Sequence, residues 1–116
     1  MSKDRWPDWD VYVRDSMTCV YCGLDGRTDI RLWQQLVIDH LIPRAQGGDD
    51  VEANKVVSCH RCNTLKHAQR LSTDETSPRD VNQRQELIKE ARQLIINTSE
   101  KNDDKADYAL MMKELF

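Results

Sequence analysis

The chain has 116 residues, 39% of them hydrophobic and 32% charged, with a formal charge of −3 at neutral pH. That length holds one domain, or a small domain with an appendage, and the charge lacks the basic excess of a typical nucleic-acid binder. Apolar runs span only a few residues and the start, MSKDRWPDWD, is charged, which argues against a signal peptide or a membrane span and makes the cytoplasm the expected location.

In chain order, residues 9–15 read as a short helix leading to Cys19-Val20-Tyr21-Cys22. Residues 32–38 read as a buried strand that ends in Asp39-His40 and breaks at Pro43 into a turn-rich loop over 43–50. Gly47 and Gly48 suit a turn that needs positive φ. Residues 54–58 form the expected return strand, followed by Cys59-His60-Arg61-Cys62 and a helix over 63–71 with Leu65, Ala68 and Leu71 three apart. A polar linker covers 72–79. A helix is expected to start there, with Ser77 as N-cap and Pro78 in the first turn, and to bury Val81, Leu87, Ile88, Ala91, Leu94 and Ile95. A second helix is expected from Asp103 or Asp104, carrying Tyr108, Leu110, Met111, Leu115 and Phe116. These stripes need cover from the rest of the chain or from another chain, including a second copy.

The four cysteines form two C-x-x-C pairs separated by thirty-six residues. Each pair makes a knuckle with two thiolates on one side, and two knuckles close the tetrahedral sulfur shell that zinc prefers. In a reducing compartment such cysteines hold metal rather than disulfides. A closed shell leaves no place for water, so this zinc is expected to be structural, with His60 inside the second knuckle as a spare. The expected class is α+β: a small zinc-clasped ββα-metal finger over 1–71, the linker, and a helical appendage over 80–116.

The series C-x-x-C-G, D-H-x-x-P-x-x-x-G-G, an asparagine, then C-x-x-C-N-x-x-K resembles the HNH endonuclease family across Trp9 to Leu71, about three fifths of the chain. The resemblance implies a metal-dependent DNA endonuclease. It makes His40 the base that activates water, Asp39 a ligand of a catalytic divalent ion, Asn54 the brace of the loop, Asn63 a second ligand, and Lys66 a contact near the scissile phosphate. The chemistry asks for such a set: phosphodiester hydrolysis needs a base, a cation for the developing charge and a frame that aligns them. Asp39 and Asn63 offer hard oxygens to Mg²⁺ or Mn²⁺.

Residues 1–71 contain ten Lys plus Arg against ten Asp plus Glu, and residues 72–116 seven against ten. The basic side chains nearest the site in sequence, Arg44, Lys55, Arg61, Lys66 and Arg70, are the candidates for contact with DNA, expected to be double-stranded and bound weakly and salt-sensitively. His67 lies four residues after Asn63, where it can share that residue's helix face. Trp6, Trp9 and Trp33 read as core or rim packing rather than base-stacking platforms. The rival readings are a zinc-dependent DNA-binding module without cleavage and a protein-binding zinc scaffold.

Overall fold

The computed structural model describes residues 5–116. Helix α1 (Trp9–Arg14) buries Val11 and ends in a turn where Ser16 and Met17 both take positive φ, which reverses the chain into the first knuckle. Residues 30–33 then form one helical turn, α2 (Ile30–Trp33), where the strand was expected to begin. The reason is local: the Asp29 carboxylate accepts the Arg31 N–H at 2.7 Å and caps the turn, an option that apolar periodicity does not reveal.

Strand β1 (Leu36–His40) pairs antiparallel with β2 (Lys55–Cys59), with Asp39 opposite Val56 and His40 opposite Lys55. Between them lie two short 3-10 turns, Arg44–Gln46 and Glu52–Asn54. Gly47 takes a φ of 92°, as the turn reading required. Gly48 has a different reason to be glycine, because a Cβ there would lie 1.8 Å from the Ile42 carbonyl oxygen.

Helix α3 (His60–Lys66) starts inside the second knuckle rather than after it, since the Cys59 sulfur accepts the Cys62 N–H at 3.4 Å and acts as N-cap. It stops five residues earlier than expected because His67 turns to φ 47° and ψ −138°. The long helix α4 (Val81–Asn102) begins at Asp80, not at Ser77. Asp80 caps Gln83 N at 2.8 Å while the Gln83 side chain accepts Arg79 N at 2.7 Å, a reciprocal lock that Ser77 does not make. Helix α5 (Asp104–Leu115) follows a left-handed turn at Asp103.

Leu87, Ile88, Ala91 and Ile95 of α4 join Leu41, Ile42, Val56, Val57 and Leu65 of the finger in one hydrophobic core. Val81, expected on that stripe, is exposed, as are Tyr108, Leu110, Met111 and Leu115 of α5 and Phe116 just after it. The segment expected as a linker is irregular but fastened. Gln46 exchanges hydrogen bonds with Leu71, and Asp49 accepts the Thr76 hydroxyl at 2.7 Å. The result is a mixed helix and strand fold whose small sheet carries the candidate site at one end and a cysteine cluster at the other. No helix among the described residues is long and apolar enough to cross a membrane.

Candidate active site

The ends of β1 and α3 meet at an open cleft of about 530 Å³, lined by Asp39, His40, Pro43, Arg44, Asn63, Thr64 and His67, among others. Asp39 is nearly buried, and its Oδ2 accepts the Tyr21 hydroxyl at 2.6 Å and pairs with Lys66 Nζ at 3.1 Å. Burial, and then the charge of Asp39, push the Tyr21 phenol well above its usual range, so the hydroxyl stays a donor. Lys66 is fully buried and also donates to the His40 carbonyl at 3.1 Å. Its ammonium therefore braces the end of β1 from inside instead of standing on the surface where a phosphate from solvent arrives.

His40 Nε2 lies 2.9 Å from Asp50 Oδ1. Asp50 is held in turn by Lys55 Nζ at 3.2 Å, and Lys55 also binds Asp8 at 2.8 Å. The His40 hydrogen bond first, and then Lys55, hold the Asp50 carboxyl below its ordinary range, so it is a carboxylate at neutral pH. A carboxylate at Nε2 calls for the N–H there and leaves the lone pair on Nδ1.

Asn54 is completely buried and uses its amide on the loop: Oδ1 accepts Ile42 N at 2.8 Å, and Nδ2 donates to Ile42 O at 3.0 Å and Asp49 O at 2.9 Å. Asn63, one turn into α3, faces the cleft with His67. The donor set of one carboxylate, one amide oxygen and a neighbouring imidazole, in an open cleft, fits a divalent ion that keeps some water.

Of the basic candidates, Arg44 is exposed beside the cleft, 3.7 Å from Asp50, and Arg70 is exposed beyond α3. Arg61 turns toward α4, where it donates to Ser99 Oγ at 2.8 Å, and Lys55 is engaged with two carboxylates. Trp6 and Trp33 pack edge to face, ring centroids 4.9 Å apart, on the rim of a separate apolar groove with Trp9, Tyr12 and Met17. His60 is exposed at the start of α3, outside the cysteine cluster.

At the far end of the sheet the four sulfurs of Cys19, Cys22, Cys59 and Cys62 lie within 4.8 Å of one another, and Cys22 Sγ is 3.7 Å from Cys59 Sγ. A tetrahedral zinc with bonds of about 2.3 Å needs sulfurs about 3.8 Å apart, so the cluster fits it. A hydrogen bond from Cys62 holds the Cys19 thiol down to about 4, whereas burial pushes Cys22 up to about 11.

A two-stranded antiparallel sheet followed by a helix, clasped by four cysteines, defines a zinc-type ββα finger. Residues 19–69 match the family model described as HNH endonuclease. Searches of the curated proteins and of the solved structures found no match. The family-model match points to a nuclease or nucleic-acid-binding function. Two residues of the site carried no signal in the sequence. Tyr21 sits inside a knuckle and Asp50 in an acidic pair, and only the folded loop brings them to Asp39 and His40.

Proposed function

We propose that the protein is a metal-dependent DNA endonuclease that hydrolyses phosphodiester bonds, with the four cysteines holding a structural zinc. The observation that carries this reading is the meeting of Asp39, His40, Asn63 and His67 in one open cleft, within the segment that matches the HNH endonuclease family model. Asp39 and Asn63 would hold Mg²⁺ or Mn²⁺, which supplies Lewis-acid neutralisation of phosphate charge when bound. His40 takes the proton of water at Nδ1, with Asp50 fixing the tautomer through Nε2. Asn54 keeps the loop after His40 closed so that the base stays aligned. Lys66 acts behind Asp39, and Arg44 is the exposed cation at the cleft for a DNA phosphate. The overall charge of −3 makes binding to double-stranded DNA weak, and the contacts that remain are salt-sensitive.

The test is cleavage of supercoiled plasmid by the zinc-loaded protein with Mg²⁺, Mn²⁺ or EDTA at low salt. His40→Ala is expected to lower the rate about 10²- to 10⁴-fold while zinc content and DNA binding hold. Full activity in that variant removes the base assignment. DNA retardation without cleavage by the wild type under every ion would make the protein a binding module instead.

A further inference from the structure

We propose that Tyr21 is a positioning residue for the candidate ion site, presenting Asp39 to the cleft through a single carboxylate oxygen. The inference rests on the reading of Asp39 as an ion ligand. Both donors that reach Asp39 fall on the same atom, Oδ2: the Tyr21 hydroxyl at 2.6 Å and Lys66 Nζ at 3.1 Å. With that oxygen taken, Oδ1 is the one left for a hard cation, and single-oxygen ligation keeps coordination places for water and phosphate. Hydrogen bonds behind a ligating group set its orientation and basicity, and losing one commonly costs 10- to 100-fold in ion affinity.

What makes Tyr21 more than a neighbour is how it is held. It lies between Cys19 and Cys22, its side chain is almost wholly buried, and its backbone carbonyl accepts Arg92 Nε from α4 at 2.9 Å. Its backbone is thus tied to the cysteine knuckle by sequence and to α4 by that bond. Tyr21 therefore transmits the geometry of the cysteine cluster to the carboxylate at the opposite end of the sheet.

The test measures Mn²⁺ binding by electron paramagnetic resonance on zinc-loaded protein without DNA, for the wild type, Tyr21→Phe and Asp39→Ala. Tyr21→Phe is expected to retain one zinc per chain and to weaken Mn²⁺ about 10-fold or more. Wild-type affinity in Tyr21→Phe, with affinity lost in Asp39→Ala, overturns the role of Tyr21 and leaves the ion site standing. Wild-type affinity in Asp39→Ala, or no binding to the wild type, overturns the ion site and the proposal together. Should Tyr21→Phe fail to hold zinc, the wild type carries the test by NMR with label at the tyrosine Cζ. Mg²⁺ should then shift the Tyr21 resonance and leave Tyr12 and Tyr108 in place, and an unmoved Tyr21 resonance at saturating Mg²⁺ overturns the proposal.

Discussion

Asn54 satisfies three backbone groups of the loop that follows His40, and the two on Ile42 are buried away from any replacement partner. Asn54→Ala leaves Ile42 N–H without an acceptor, an orphan that costs about 1–3 kcal/mol. Asn54→Asp should be worse, because a carboxylate then faces the carbonyls of Ile42 and Asp49 with nothing to donate. Urea midpoints of the zinc-loaded proteins check the order, and an Asp variant as stable as the wild type would show that the loop closes by another route. Gly48→Ala belongs to the same loop. A Cβ at 1.8 Å from Ile42 O forces the backbone apart, so that variant should lose cleavage together with stability.

At the scale of elements, α4 packs its apolar stripe on the finger, one of the covers that stripe allowed. Arg92 donates to the carbonyls of both Val20 and Tyr21 inside the first knuckle, at 2.8 Å and 2.9 Å, and Ala91 is fully buried against the shared core. Arg92→Ala should speed zinc release to a competing chelator dye, since the knuckle carbonyls lose their clasp. Equal release rates in variant and wild type would reduce those bonds to surface decoration. Truncation after Leu71 removes Leu87, Ile88, Ala91 and Ile95 from the core. Single Leu or Ile truncations alone cost about 2–5 kcal/mol, so the shortened chain should hold zinc poorly or not fold. The ends of these elements were the least legible part of the sequence. Asp29 capping a turn, His67 stopping α3 and Asp80 replacing Ser77 as N-cap are each decided by one side-chain bond or one backbone angle among several compatible choices. The cysteine spacing and the Asp39-His40 strand end were legible because both are local patterns. The pairings of Asp39 with Tyr21 and His40 with Asp50 were not, because each depends on chain segments that meet only after folding.

For the molecule as a whole, one core shared by the finger and α4 implies a single cooperative transition. Zinc release and tryptophan fluorescence should change together on heating or chelation, and Cys19→Ser, Cys22→Ser, Cys59→Ser or Cys62→Ser should each unfold the protein, not merely slow it. Ligating thiols must be deprotonated, so zinc should also be lost as pH falls. Two separated transitions would divide the chain into independent parts. A two-stranded sheet this small would ordinarily leave a bare flank on β2. Here Arg14 reaches the carbonyl of Lys55, Asp15 accepts Val57 N at 2.9 Å, and Val20 N donates to Val57 O at 2.9 Å. The chain just before and inside the first knuckle thus occupies the backbone groups that would otherwise recruit a foreign strand. Loosening that cover, for example with Asp15→Ala, should make the protein seed β-rich aggregates that the wild type does not, detectable by thioflavin fluorescence before any loss of zinc.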